Sequence, residues 1–215
     1  MKHFLILLVI SWLANATGFA APDAVTMRFL AERAPGNLGE VLLAVGDKLS
    51  PPFALSSDHL SDPIPAPALK MAMRLQDKPT VLAEIILPEN GTSFIVLLIP
   101  DPKGGFSPVV INASDINFRG GDVYFFNHAE KPVIGYVGTA KFILKPGEGR
   151  LLRPAGAKEE TYYDVGFGVR ETEGDRVMRT LRWPVLTRSR SYVFFYLNPT
   201  KNRIDFRAVD EFVAP

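Results

Sequence analysis

The chain has 215 residues, of which 47% are hydrophobic and 22% are charged, and its formal net charge is +1 at pH 7. A charge balance this close to neutral argues against a nucleic-acid partner, because surfaces that bind nucleic acids usually carry a clear excess of lysine and arginine. The chain contains no cysteine, which excludes disulfides, thiolate catalysis and thiolate metal ligands, so its stability must come from core burial.

Residues 1–20 have the pattern of a secretory signal peptide. Lys2 precedes an apolar run from Phe4 to Leu13, and the small residues Gly18 and Ala20 indicate cleavage after Ala20. The run is shorter than the roughly 20 apolar residues that a membrane span needs, so we prefer a cleaved signal to the alternative, a retained anchor. We therefore expect a periplasmic or secreted protein with no transmembrane segment in the mature chain.

Two stretches of the chain, 27–118 and 123–212, run through the same order of patterns. The matching segments are Met27–Leu30 and Val123–Phe126, Val41–Gly46 and Val133–Gly138, and Ser93–Leu98 and Ser191–Tyr196. Matched positions lie about 92 to 98 residues apart, a drift that small changes in loop length explain. Self-similarity of this kind indicates two copies of one structural unit.

Short strands dominate both copies. The segment Leu69–Leu75 alternates apolar and polar residues, which predicts a strand with one buried and one exposed face. Phe94–Ile99 and Tyr192–Leu197 are continuously apolar, which suits central strands that are buried on both faces. Leu49–Pro67 contains five prolines. Because proline cannot donate to a sheet ladder, we expect this segment to cross over the surface or between sheets.

The strand pattern predicts the fold class. With about seven short strands in each copy, the sequence predicts an all-β protein of two tandem immunoglobulin-like or similar Greek-key β-sandwich modules, residues 27–118 and 123–212. A single merged sandwich is the alternative. The joint from Asn117 to Asp122 is short, so we expect the two modules to touch and to hold a fixed angle.

Two small motifs in the second copy carry a resemblance to a known group. Asn127 follows a strand, and Pro146–Glu148 forms a later "Pro-Gly-Glu" hairpin. In these motifs, and over most of the mature chain, the sequence resembles uncharacterised exported bacterial proteins with tandem immunoglobulin-like β-sandwich modules. The resemblance implies an immunoglobulin-like fold and carries no catalytic residues across.

Histidine is scarce, which limits catalytic and metal sites. Beyond the signal peptide only His59 and His128 remain. The surroundings of His128 look like those of a cupredoxin, but such a copper site also needs a cysteine and a second histidine. A Ser-His-Asp arrangement would have to use residues such as Ser56, Asp58 and His59 in the proline-rich segment, where serine and aspartate usually make local turn hydrogen bonds.

Acidic residues offer two candidate calcium sites, Asp58 with Asp62 and the spacing Glu171, Glu173 and Asp175. Neither provides the full ligand loop that strong calcium sites show, so solvated turns are the simpler interpretation. We expect no metal, no cofactor and no enzymatic activity.

The segment 176–190 is rich in arginine and contains no acidic residue. Arginine pairs well with carboxylate or phosphate, and arginine and tryptophan are enriched at interface hot spots. We predict a partner-binding surface formed by five residues of this segment: Arg179, Arg182, Trp183, Arg188 and Arg190. In the alternative, these arginines line the exposed face of two strands and pair with Glu159, Glu160, Glu171 and Glu173.

The expected function is non-enzymatic binding or scaffolding by an exported protein, with a protein of the envelope as partner. Recognition would use loops at the sandwich ends or strand addition at an exposed edge. The alternative is a carbohydrate-binding module on envelope polysaccharide, with a stacking platform of Tyr162, Tyr163, Phe167 and Trp183. A hydrolase ranks third, because it would need a cleft that joins a histidine to a nucleophile.

Overall fold

The computed structural model describes residues 25–213, and the predicted signal peptide lies outside this part of the chain. The described residues form strands joined by turns and loops and contain no helix, which confirms the all-β prediction. Accordingly, no helix in residues 25–213 is long and apolar enough to cross a membrane.

The strands of the described chain divide into two groups, on either side of a connecting segment, 113–122. The N-terminal half contains β1 (Thr26–Ala31), β2 (Glu40–Val45), β3 (Lys48–Leu49), β4 (Phe53–Ala54), β5 (Ile64–Pro65), β6 (Lys70–Leu75), β7 (Val81–Ile86), β8 (Ser93–Pro100) and β9 (Phe106–Asn112). The C-terminal half contains β10 (Val123–Asn127), β11 (Val133–Val137), β12 (Ala140–Leu144), β13 (Gly149–Leu152), β14 (Tyr162–Glu171), β15 (Gly174–Pro184), β16 (Ser189–Asn198) and β17 (Arg203–Phe212).

Each half consists of two sheets, and the strand order is the same in both halves. The N-inner sheet has the order β5-β1-β8-β9, and the N-outer sheet has the order β3-β2-β6-β7, with β4 also paired to β2. The C-inner sheet has the order β13-β10-β16-β17, and the C-outer sheet has the order β12-β11-β14-β15. The architecture is therefore of the β-sandwich type. The immunoglobulin-like assignment and the module boundaries 27–118 and 123–212 stay predictions.

The proline-rich segment 49–67 crosses between the two N-terminal sheets, one of the two courses that its prolines predict. Its short strand β4 pairs with β2 in the N-outer sheet, and β5 pairs with β1 in the N-inner sheet. Between these strands Leu60 is buried, which anchors the crossing to the core.

Three apolar cores stack the four sheets in the order N-outer, N-inner, C-inner, C-outer. The first core lies between the N-terminal sheets and includes Phe29, Leu43, Met73 and Phe94. The third lies between the C-terminal sheets and includes Phe125, Val165, Phe167 and Phe195. The middle core joins the two halves through the inner sheets and includes Leu30, Ile95, Leu97, Phe194 and Tyr196.

The middle core explains the two continuously apolar runs. Successive side chains of a strand point to opposite faces of its sheet, so Val96 enters the first core and Leu97 the middle core. In the same way Phe194 enters the middle core and Phe195 the third. The prediction that Phe94–Ile99 is buried on both faces is confirmed, because the covering layer on one face is the other half of the molecule.

Buried polar groups also connect the two halves. Arg190 is 7% exposed and donates hydrogen bonds to the Glu211 carboxylate at 2.7 and 3.1 Å and to the carbonyl oxygens of Ala113 and Phe118. The Tyr192 hydroxyl donates to the same carboxylate at 2.7 Å. Burial, and then the charge of Glu211, raise the pKa of Tyr192. The connecting segment is thus held on the C-inner sheet.

A second polar contact joins the halves at Glu32, which is 1% exposed. Its carboxylate lies 2.6 Å from His128 Nδ1, and its carbonyl oxygen accepts a hydrogen bond from Arg207. Arg207 also donates to the carbonyl oxygen of Ser57 in the proline-rich segment. The expectation that the two modules touch is therefore met by apolar and polar contacts together.

Candidate functional site

Three residues of the predicted partner-binding surface lie on β15, the edge strand of the C-outer sheet, but on opposite faces. Arg179 pairs with Phe167 of β14, whose side chain is in the core, whereas Arg182 pairs with Asp164. Arg182 Nε lies 3.7 Å from the Asp164 carboxylate, and its guanidinium lies 4.7 Å from the centre of the Tyr162 ring. Trp183 is half-buried and packs edge-on against Phe167. Strand alternation therefore separates Arg179 and Trp183 from Arg182.

The other two residues of that prediction lie off β15. Arg188 is exposed in the turn before β16. Arg190, by contrast, is buried in the ion pair with Glu211, so the prediction that it belongs to a free surface is wrong. The five residues do not share one face, and the binding role of Arg179, Arg182, Trp183 and Arg188 stays a prediction.

The four aromatic residues that were candidates for a stacking platform do not form one exposed surface. Phe167 is 2% exposed and contacts Phe125, Phe195 and Phe206 in the third core. Tyr163 and Trp183 pack against that core, and Tyr162 points to the opposite face because it is the next residue along β14. These side chains mainly serve packing.

The candidate catalytic residues of the proline-rich segment do come together, but not in the geometry of a triad. Ser56 Oγ lies 3.0 Å from His59 Nδ1, and the Asp58 carboxylate lies 2.7 Å from the same nitrogen. In a triad, serine and carboxylate bind opposite ring nitrogens, so that the proton can pass across the imidazole. Hydrogen bonds from Ser56 and then His59 lower the pKa of Asp58, as in a local turn.

Two of the candidate calcium ligands, Glu171 and Asp175, are engaged with basic side chains. Glu171 pairs with Lys131 and Arg176, and Asp175 pairs with Arg170. Hydrogen bonds from these bases lower the pKa of both carboxyls. Residues 25–213 contain no group of three or more histidine, cysteine, aspartate or glutamate side chains that could hold a metal ion.

The two motifs that carry the resemblance have a structural role. Asn127 is fully buried, and its side-chain amide donates to the carbonyl oxygens of Lys131 and Leu144 while its oxygen accepts from the Ala129 amide. Its backbone bonds with Gly147 and Glu148 of the hairpin. Asn127 therefore ties two turns together at one end of the C-terminal half.

A groove lies on the exposed face of the C-outer sheet, and the sequence analysis did not identify it. It has a volume of about 710 Å³. Its centre is β14, where Val165, Phe167 and Val169 point into the core and the alternate positions, Gly166 and Gly168, point outward. Two successive outward positions without a side chain leave a depression along the strand.

Side chains of the flanking strands form the floor and walls of this groove. On β11, Tyr136 pairs with Gly166 and Ile134 with Gly168. Both side chains lean over the glycines: a Cβ on Gly166 would lie 2.4 Å from the Tyr136 ring, and one on Gly168 would lie 3.3 Å from Ile134. The walls are partly apolar, since Ile143 of β12 is 45% exposed and Val177 of β15 is 74% exposed.

The rim of the groove is mainly basic. Its charged lining residues are Lys141, Arg150, Arg170 and Arg176, with Asp175 as the acidic residue among them. Asp175 is neutralised by Arg170, and Arg176 and Arg150 contact Glu171 and Glu148 outside the groove. An exposed apolar floor with a basic rim suits a partner that presents apolar groups together with anionic ones.

A smaller cleft, of about 90 Å³, lies at the other side of β15, between β15 and β17. Its basic lining residues are Arg176, Arg179 and Arg203, and its acidic one is Asp205. Asp205 already accepts a hydrogen bond from Lys201 at 3.1 Å. Strand β15 is thus bordered by the groove on its outer face and by a basic cleft on its inner face.

No protein-family model matches the chain, and no curated protein matches it significantly.

Proposed function

We propose that this chain is a non-enzymatic, exported binding or scaffolding protein that recognises a protein partner of the cell envelope with the C-outer sheet. The observation that carries the proposal is the groove over Gly166 and Gly168. A soluble protein rarely leaves an apolar depression exposed on a sheet unless something covers it. The basic rim gives a partner orientation and long-range attraction.

The signal-peptide pattern of residues 1–20 supports export. The packed sheet beneath the groove supports binding. The groove lies on a sheet whose other face is packed into the third core, through Val165, Phe167 and Val169. A surface built on a packed sheet keeps its shape on binding, which lowers the entropic cost of association.

The test uses single charge insertions at exposed apolar positions. The mature protein and its Ile143→Glu and Val177→Glu variants are immobilised and used to capture proteins from the native envelope fraction, with identification by mass spectrometry. Ile86→Glu on the N-outer sheet is the matched control, since Ile86 is 61% exposed and far from the groove in the strand order. We expect a partner retained by wild type and Ile86→Glu and lost by both groove variants. Equal capture by all four proteins contradicts the proposal.

Glycan binding is the second candidate function, because the Tyr136 ring lies across Gly166 on the floor of the groove. Aromatic rings commonly contact the apolar faces of ligands, and Lys141 and Thr180 beside the ring offer polar groups. Isothermal titration with envelope polysaccharide fragments tests this function. A heat of binding that is lost in Tyr136→Ala and kept in Ile86→Glu would favour glycan binding. The absence of a heat of binding with every fragment would rule it out.

A further inference from the structure

We infer that the partner is an acidic, extended peptide that adds to the free edge of β15 as a further strand of the C-outer sheet. This inference rests on the proposed binding function and specifies its occupant. It predicts an alternating pattern in the peptide: apolar residues on the groove side, beside Val177, and acidic residues on the cleft side, beside Arg179 and Arg203.

The free edge of β15 is the first step. This strand spans Gly174–Pro184 and pairs with β14 on one side, while the sheet order ends at β15 on the other. Most of its residues are exposed. A long edge strand presents a row of backbone donors and acceptors that can pair with another chain.

The equivalent edge in the N-terminal half is covered, which makes the opening at β15 a specific feature. There β7 lies in close contact with β9. The turn before β9 brings Gly105 against the Leu82 carbonyl, so closely that a Cβ on Gly105 would lie 2.3 Å from that oxygen. At β15 the corresponding space is the cleft to β17. One copy of the fold is closed at this edge, and the other is open.

The charges of β15 and of β17 across the cleft select the class of peptide. Arg179 and Arg203 line the cleft, and no carboxylate of residues 25–213 lies within ion-pair distance of either guanidinium. Arginine in this position favours a carboxylate, to which it can donate two hydrogen bonds. A second copy of this chain is a poor occupant, because β15 against β15 would oppose Arg176, Arg179 and Arg182 with one another.

The two faces of β15 determine why apolar and acidic residues should alternate in the peptide. Arg179 pairs with Phe167 and so shares the inner face, whereas Thr180 pairs with Gly166 and shares the groove face. Because side chains alternate along an added strand as well, successive residues of the peptide would meet the basic cleft and the apolar groove in turn. Val177, which is 74% exposed, would be covered by the apolar residues.

The experiment uses a fluorescein-labelled octapeptide of alternating glutamate and valine as the probe, with the mature protein at low salt. Fluorescence anisotropy measures its affinity for wild type and for Arg179→Glu and Arg203→Glu. Lys78→Glu is the matched control, because Lys78 is an exposed basic residue between β6 and β7 of the N-terminal half. We expect each of the first two variants to weaken binding about tenfold or more, which corresponds to the loss of a charge-assisted contact, and the control to bind like wild type.

A second peptide separates strand addition from simple charge attraction. An octapeptide of the same sequence, N-methylated at every backbone amide, keeps the side chains but cannot donate hydrogen bonds to β15. We expect it to bind at least about tenfold more weakly than the unmodified peptide, and a matched lysine–valine octapeptide not to bind. Equal affinity of the methylated peptide, or no binding of the glutamate–valine peptide to wild type, overturns the inference. The groove variants Ile143→Glu and Val177→Glu still test the proposed function in either case, since they report on whichever partner is captured.

Discussion

The ion pair between Arg190 and Glu211 allows a quantitative test of how the two halves are joined. Both residues are 7% exposed, and two hydrogen bonds of 2.7 and 3.1 Å connect their side chains. Arg190 also supplies the donors for the carbonyl oxygens of Ala113 and Phe118 in the connecting segment. We therefore consider Arg190→Met, Glu211→Gln and the double variant.

The magnitudes follow from what each variant leaves behind. Arg190→Met leaves the Glu211 carboxylate with Arg28 at 3.5 Å and the Tyr192 hydroxyl, and deprives two carbonyl oxygens of their donor. Breaking a buried ion pair from one side costs about 3–5 kcal/mol. Glu211→Gln leaves the buried Arg190 guanidinium without its counter-charge, so its cost in unfolding free energy should lie in the same range. The double variant removes both charges, so it should be destabilised by at least about 2 kcal/mol less than the sum of the single variants.

Urea unfolding followed by far-UV circular dichroism and by Trp183 fluorescence measures these free energies. With a slope of about 2 kcal/mol/M, each single variant should lower the midpoint by roughly 1.5–2.5 M. Because Trp183 packs on the third core, its fluorescence reports the C-terminal half, and a separate circular dichroism transition would show that the halves have uncoupled. Single-variant losses below about 1 kcal/mol, the range of exposed pairs, or strictly additive losses would refute this reasoning.

Three further changes test local features. Burial raises the pKa of Asp122. Hydrogen bonds from the Arg153 guanidinium and from the Arg119 backbone amide outweigh burial and hold this pKa below its ordinary value. The carboxylate thus stabilises the fold above about pH 4 and less as the pH falls through its folded pKa. Wild type should lose more of its urea midpoint than Asp122→Asn between pH 7 and 3, and equal losses would contradict this. Asn127→Ala removes three hydrogen bonds of a buried side chain and should lower the unfolding free energy by about 2–4 kcal/mol. A loss below about 1 kcal/mol would contradict this. Gly105→Ala should lower the melting temperature more than Gly147→Ala, since both glycines have φ of +76° but only a Cβ on Gly105 meets the Leu82 carbonyl; equal melting temperatures would count against the contact.

The sequence predicted the layers of the fold better than their arrangement. The run Phe94–Ile99 requires cover on both faces of its strand, because each apolar side chain must leave water. The sequence predicts that both faces of the strand are buried, but it does not show which part of the molecule covers the second face. The run Tyr192–Leu197 has the same requirement, which is met from Tyr192 to Tyr196, whereas Leu197 is 47% exposed. Both runs are covered when the inner sheets pack against each other through Leu97 and Phe194.

The predicted surface was less successful because charge along a sequence does not give the face on which each side chain lies. Arg179 and Arg182 are separated by strand alternation, because Arg179 pairs with the inward-facing Phe167 and Arg182 pairs with Asp164 on the other face. Arg190 is buried because Glu211, 21 residues further on, lies opposite it in β17. Such a pairing depends on register, which a run of arginines does not reveal.

The groove had a visible signal in the alternation of glycine with apolar residues, Val165-Gly166-Phe167-Gly168-Val169. A strand that buries one face while its other face carries only hydrogen atoms predicts an exposed depression or a close neighbour. The pattern alone cannot decide between these two outcomes. In the structure Tyr136 and Ile134 of β11 lean over the glycines, so closely that a Cβ on Gly166 would lie 2.4 Å from the Tyr136 ring, and the groove lies above these side chains.

Comparison of the two halves explains why the proposed binding surface lies on only one of them. In the N-outer sheet, Leu42 pairs with Arg74 at the position where the C-outer sheet pairs Ile134 with Gly168. The half-buried Arg74 side chain covers that face, its Nε is enclosed, and Leu42 is 7% exposed. The same strand order therefore gives a filled face and a covered edge in one half, and an open groove and an open edge in the other. Both sheets have the same strand order and a supporting core of their own, and they differ in the side chains on the exposed face and in the cover of the edge strand.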